Sequence, residues 1–449
     1  MQSQLTVNRR SFLKTAAAAA ALLASRPAWA ASNVSPPPET DEAVLARVRG
    51  GIAKHRQGDG VVVVRGADGQ AIPHATVKVE QTRHDFLFGC NFFRFDRLRD
   101  ARLEEDYRAR FTGLLNYATL PFYWGNYEPQ RGQPIYSYSE QAADWCRQHG
   151  VTVKGHPLVW DHPAGNPRWL PEDLAEVGRL SHARVSEIVT RFKGRIDLWD
   201  VVNEAVHLGQ VNQEQRMSKW AVTLGARRYV AEPLKLARAA NPQATLLVND
   251  YRLDPAYYAL LDTLREDGKL LFDVVGLQSH MHDGAWPMRR VWKHCETHGK
   301  LGVPLHFTEA TVVSGPRLGT GENWGPTTPE LEAKQADAVV KFYTTLFAHP
   351  AVQAVTWWDF SDNGAWQRAA AGLVRKDMSP KPAYERLLGL VRGEWWTKTQ
   401  GQADARGEFA TRAFYGRYRI TAELPNGRTV AKEVHWQRGR ENRFELVAG

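Results

Sequence analysis

Two glutamates carry the chemistry that this sequence offers most plainly. Glu204 closes the run WDVVNEA, and Glu309 lies within FTEA. Two carboxyl groups facing one cleft repel each other when both are ionised, so their proton affinities separate and one stays protonated beside an ionised partner. Set across a glycosidic bond, one protonates the leaving oxygen and the other attacks the anomeric carbon. Asn203 directly precedes Glu204, and an amide beside the acid is placed to hydrogen-bond a sugar hydroxyl next to the bond that breaks. Paired glutamates serve many reaction classes, so the elements that position them decide the reading.

From about residue 84 short apolar runs alternate with longer amphipathic ones. Eight runs read as strands: DFLFGCNF, LLNYATL, TVKGHPLVW, DLWDVVNEA, TLLVNDY, DVVGLQSHM, PLHFTEA and AVTWWDF. Helical spacing fills the gaps, for example over 181–193, 214–240 and 329–349. Near-continuous apolar strands separated by helices mean a parallel sheet covered by helices, and eight repeats predict a closed (β/α)8 barrel over 84–391. An open doubly wound sheet would carry a glycine-rich phosphate loop after its first strand, which is absent. Most strands turn polar or aromatic at their C-terminal ends, at Asn91, His156, Asn203, Glu204, Asn249, Asp250, Gln278, His280, Glu309 and Asp359. A barrel gathers those ends on one face, where active sites form.

The flanks add context. Residues 1–30 pair Arg9 and Arg10 with Phe12, Leu13 and Lys14, continue into an Ala/Leu run, and end on Ala28-Trp29-Ala30. This has the form of a signal peptide, of twin-arginine type, and predicts export to the periplasm or beyond. A Pro-rich stretch follows, then a helix with Val44, Val48 and Ile52 on one face, then two alternating runs around an Asp-Gly turn, which read as a β-hairpin ending near residue 83. Residues 392–449 alternate with period two and turn at Pro425-Asn426-Gly427, so they read as strands that join the hairpin in a small β-sandwich-like appendage. Four of the basic residues behind the +9 formal charge lie in the leader, and the rest are scattered, which argues against a nucleic-acid partner. Cys90, Cys146 and Cys295 show no metal or disulfide spacing and read as free buried thiols. Beyond the leader no run is long and apolar enough to anchor the chain in a membrane.

Taken in order, GHPLVW, WDVVNEA, VNDY, GLQSHM, FTEA and DMSPKPAY resemble glycoside hydrolase family 10, the endo-1,4-β-xylanases, over residues 86–388. The resemblance implies a retaining glycosidase acting on β-1,4-xylosidic bonds of a plant cell-wall polysaccharide or its oligosaccharides, with no cofactor and no metal. Glu204 would be the acid/base and Glu309 the nucleophile. Asn203, His156 and Trp160 would line the reacting subsite, together with Asn249. Gln278 and His280 would hydrogen-bond the nucleophile or the sugar, and Trp358 and Trp366 would form aromatic walls. Several positions depart from the family pattern. Thr119, Leu120 and Tyr123 stand where a Glu-Asn pair and a Lys usually grip distal sugars, Asp161, His162 and Pro163 follow Trp160, and Ala310 and Thr311 replace the usual Leu-Asp after the nucleophile. Leu120 and Tyr123 would favour stacking in the distal subsites. These departures leave two alternatives open: a decorated or non-xylan glycoside as substrate, and a non-catalytic exported glycan-binding protein.

Overall fold

The computed structural model describes residues 40–320 and 323–449. The expected leader (1–30) and residues 31–39 of the Pro-rich stretch lie outside them. Eight parallel strands, Leu87–Asn91, Tyr117–Pro121, Thr152–His156, Leu198–Asn203, Thr245–Asp250, Val274–Met281, Leu305–Val312 and Val352–Trp357, pair in chain order, and the eighth pairs with the first. This is a closed (β/α)8 barrel. Tyr117, Leu198, Leu247, Val274 and Ala354 pack together as an apolar cluster at the N-terminal half of the strands.

The third and fourth strands meet only at Gly155 and Trp199. A Cβ on Gly155 would lie 2.1 Å from the Trp199 ring, so this seam closes because position 155 has no side chain. The chain leaves the barrel after His156 and returns as Val159–Trp160, where Trp160 pairs with Asn203.

The helix expected over 214–240 is two, Arg216–Leu224 and Ala226–Ala240, broken at Gly225 with φ 75°. Its periodicity continued across a residue whose left-handed backbone ends a helix. The helix Asp41–Arg56 lays Val44 and Val48 against Trp292 and Ala348. The glycine at 51 inside this helix serves close packing: a Cβ there would lie 2.8 Å from the Ala348 carbonyl oxygen. Arg56 ends the helix and donates to the carbonyls of Phe347, His349 and Val352, which ties it to the barrel.

The remaining strands form two sheets. Gln57–Gly66 lies between Glu408–Phe414 and Arg443–Ala448, and Thr76–His84 lies between Lys398–Gln402 and Gly416–Glu423, with Thr429–Trp436 outermost. Val62, Val64, Val77, Val79, Tyr418, Ile420, Trp436 and Leu446 share one core, so the sheets stack as a sandwich. The expected hairpin is therefore corrected. Gln57–Gly66 and Thr76–His84 do not pair with each other but belong to opposite sheets. The Asp68-Gly69 turn does form, with Gly69 N–H donating to the Gly66 carbonyl. It folds only the strand's end before the chain crosses over, and the valines of both strands face each other through the core.

Gly155→Val tests the barrel seam. It should lower the free energy of unfolding by at least about 1–3 kcal/mol through overpacking against Trp199, seen as a lower denaturant midpoint with an unchanged slope.

Candidate active site

Register alone brings the polar strand ends together. Asn203 pairs with Asn249, and Gln278 pairs with Glu309 beyond a bulge after Leu277. Adjacent strand residues normally face opposite sides, yet Asn203 and Glu204 must serve one site. The backbone resolves this at Glu204, which takes φ 60°, ψ 46° in the left-handed region. For a non-glycine residue that conformation costs of order 1 kcal/mol or more and needs support. Glu204 N–H donates to the Asn249 carbonyl at 2.8 Å, and Val206 N–H donates to Asp250 Oδ2 at 3.0 Å.

The two carboxyl groups are joined by an amide network. Asn249 Nδ2 donates to Glu309 Oε1 and to Asn203 Oδ1, both at 2.8 Å. Asn203 Nδ2 donates to Glu204 Oε1 at 3.2 Å, and Gln278 Nε2 donates to the same oxygen at 3.0 Å. The Trp160 indole N–H donates to Glu204 Oε2 at 3.0 Å. On the other side His280 Nε2 lies 3.1 Å from Glu309 Oε2, and its Nδ1 lies 2.9 Å from the Thr311 hydroxyl. The Thr311 hydroxyl can donate or accept, so it partners Nδ1 while Nε2 faces Glu309. This is what Thr311 does in place of a carboxylate.

The expected site residues divide by position. Glu204, Glu309, Asn203, His156, Trp160, Gln278, His280, Trp358 and Trp366 all line one cleft of about 980 Å³. Asn249 does not line it. It is fully buried behind the pair and positions Glu309 and Asn203. Gln278 reaches Glu204, while His280 reaches Glu309. Tyr123 lines the cleft, whereas Leu120 is wholly buried in the core between barrel and helices and offers no stacking face. Trp358 is 6% exposed and Trp366 44%, so the first is a fixed wall and the second a rim residue. His162 stacks on Trp160 with centroids 4.4 Å apart and widens the aromatic surface beside Glu204.

Behind Glu309 lies a chain of charged and polar groups, of which the sequence reading names only His156. Lys154 Nζ lies 2.6 Å from Asp200 Oδ2, and His156 Nδ1 lies 2.7 Å from the same oxygen. His156 Nε2 then lies 3.9 Å from Glu309 Oε1. Lys154 and Asp200 are fully buried. Their signal in the sequence is a charged residue inside an otherwise apolar strand, in TVKGH and LWDVV. Such residues are rarely buried unless paired.

Electrostatics separate the two glutamates. Burial raises the proton affinity of Glu204, opposed by the Gln278 hydrogen bond and reinforced by the Glu309 charge, and the net shift is upward. Burial acts on Glu309 in the same direction, but the His280 hydrogen bond and the charges of His156, His280 and Lys154 outweigh it, so the net shift is downward. The two groups are thus driven in opposite directions, Glu204 toward keeping its proton and Glu309 toward losing it.

The sequence pattern of Glycosyl hydrolase family 10 matches residues 119–389. Anti-sigma-I factor RsgI6 of Acetivibrio thermocellus is 27% identical over 362 residues, covering 79% of this chain and 43% of that protein. Endo-1,4-beta-xylanase 1 of Arabidopsis thaliana is 26% identical over 398 residues, 84% of this chain and 38% of its own length. This chain thus spans less than half the length of either. Endo-1,4-beta-xylanase B of Thermotoga neapolitana is 27% identical over 283 residues, 60% of this chain and 78% of its own length. Among solved structures, native xylanase 10B from Thermotoga maritima superposes with a TM-score of 0.58 at 25% identity, covering 68% of this chain and 95% of that one. Xylanase 10B from Thermotoga petrophila in complex with xylobiose, at 23% identity and TM-score 0.58, covers 68% and 94% and shares the fold.

Two further buried carboxyls flank the site. Burial pushes Asp250 and Asp359 up to about 7, with hydrogen bonds from Arg252 and Val206 N–H opposing this at Asp250 and from Trp366 N–H at Asp359. A carboxyl whose folded value lies above its unfolded one favours the folded state at low pH, and that contribution is lost as pH rises through the folded value. The share of stability that these two carboxyls supply should therefore decline between about pH 4 and pH 7, while His84, His282 and His294, which burial holds down at about 4, contribute the opposite slope. Asp359→Asn should flatten that decline, so that its melting temperature relative to wild type is higher at pH 8 than at pH 5.

Proposed function

This chain belongs to glycosyl hydrolase family 10, and on that premise we propose that it is a retaining glycosidase that cleaves β-1,4-xylosidic bonds of xylan or xylan-derived oligosaccharides. The observation that carries the reading is the Glu204–Glu309 pair, bridged by Asn203, Asn249 and Gln278 and shifted in opposite directions. Glu204 donates its proton to the leaving oxygen as the Glu309 carboxylate attacks the anomeric carbon, and a glycosyl ester forms. Esterification removes the Glu309 charge and with it the repulsion that, added to burial, raises the proton affinity of Glu204. Glu204 then stays ionised as the base that takes a proton from water, which hydrolyses the ester with retention. The Trp160 and Gln278 donors hold the Glu204 carboxylate in place through both half-reactions.

The leader's paired arginines extend the proposal to export from the cytosol in folded form, a reading that the three free, buried cysteines support. A decorated glycan is the second reading. Tyr123 in the cleft and Thr311 beside His280 favour it, since both alter the surroundings of the reacting sugar without removing either glutamate.

The purified chain from Ala31 onward should release products from glucuronoxylan or arabinoxylan, and from an aryl β-xylobioside, but not from mannan. Glu309→Ala should abolish activity on all of them. Glu204→Ala should lose about 10²–10⁴-fold on xylan, and less on the aryl xylobioside, whose leaving group needs no proton. The rate should rise with pH as Glu309 ionises and fall as Glu204 does. Inert xylose substrates, or a fully active Glu309→Ala, would overturn the proposal.

A further inference from the structure

Arg94 stands on the loop after the first barrel strand and lines the cleft that holds the two glutamates. Other arginines around this rim have carboxylate partners: Arg317 lies 2.8 Å from Asp283, and Arg252 lies 2.8 Å from Asp254. Arg94 has no ion pair among the described residues. One Nη2 hydrogen goes to the Asn363 side-chain oxygen at 3.2 Å, and its buried Nε has no hydrogen-bond partner among the described residues. A guanidinium presents five donors in a rigid fork, and most of this one's capacity is unspent.

The seat is built for it. The guanidinium lies over Gly364, where a Cβ would come within 3.0 Å of Cζ and Nη1. Gly364 has φ 76°, so the backbone favours glycine there, and the absent side chain leaves the guanidinium its place. Beside Arg94, Phe93 meets Trp358 edge-on at 5.5 Å and Tyr123 at 5.9 Å, which gives the same wall aromatic surface against which a sugar ring packs. Arg290, the other arginine on the cleft, lies over Trp286 at 4.0 Å and has that contact to occupy it.

A neutral sugar needs no charge in the wall of its cleft. A planar carboxylate on a sugar ring matches an unspent guanidinium fork with two parallel hydrogen bonds. We propose that Arg94 forms a subsite for a carboxylate-bearing sugar, a hexuronic acid unit or branch on the glycan that the cleft takes. This deepens the substrate reading above and rests on it. The subsite makes a uronic acid branch a feature that the protein selects rather than merely tolerates.

The test uses the full mature chain carrying Glu309→Ala, so that oligosaccharides bind without turnover. Calorimetric titration compares xylotetraose with a xylotetraose carrying one glucuronic acid branch. The branched probe should bind at least about tenfold tighter, and the difference should shrink at high salt. Arg94→Met should collapse that preference, and Arg94→Lys should keep only part of it, since an ammonium lacks the fork. Equal affinity for both probes in a protein that cleaves xylan, or a preference that survives Arg94→Met, overturns the subsite alone. Binding of neither probe, with the wild-type chain inert on xylan, overturns the substrate reading and the subsite with it.

Discussion

Repulsion between two carboxylates in one desolvated cleft is the constraint around which the rest of this structure is arranged. Burial alone would raise the proton affinity of both glutamates and leave nothing to tell them apart. The asymmetry comes from what stands behind each of them. Glu309 is backed by His280 and by the buried Lys154–Asp200–His156 chain, while Glu204 receives mainly neutral donors from Trp160, Gln278 and Asn203. A barrel suits this division. Its interior can hold a lysine and an aspartate in fixed apposition beneath the cleft, and its rim brings groups from separate strands to one point.

Much of this was legible in the chain. The two glutamates, their amide neighbours and the histidines end apolar strands, and parallel topology alone gathers such ends. What the sequence withheld depends on backbone geometry and on depth. No residue type marks Glu204 as left-handed, yet that one residue's conformation lets two neighbours share a site. Asn249 looks like any other rim residue in sequence, but it lies one layer below and holds Asn203 and Glu309 rather than facing the cleft. Leu120 stood at a distal-subsite position by resemblance, and the pleat turns it into the core instead.

The flanking strands show a different limit. The Asp-Gly turn is a local signal, and it correctly marks a reversal of the chain. Which strands then pair is decided by burial. The valines of Gln57–Gly66 and Thr76–His84 bury more by facing each other through a core than by lying side by side in one sheet. Partners for those strands come from beyond residue 397, at a separation that no periodicity in a short window reveals.

That separation has a consequence for the order of events during synthesis. Gln57–Gly66 leaves the ribosome early, but its parallel neighbour Arg443–Ala448 is made some hundreds of residues later. Until then Val61, Val62, Val63 and Val64 present an open strand edge of the kind that invites pairing with other chains. The barrel's strands pair in chain order, and only the closing pair, Leu87–Asn91 with Val352–Trp357, waits on residues made late. The sandwich therefore acts as a latch that only a finished polypeptide can fasten, and a prematurely ended chain would hold a formed barrel beside an adhesive edge.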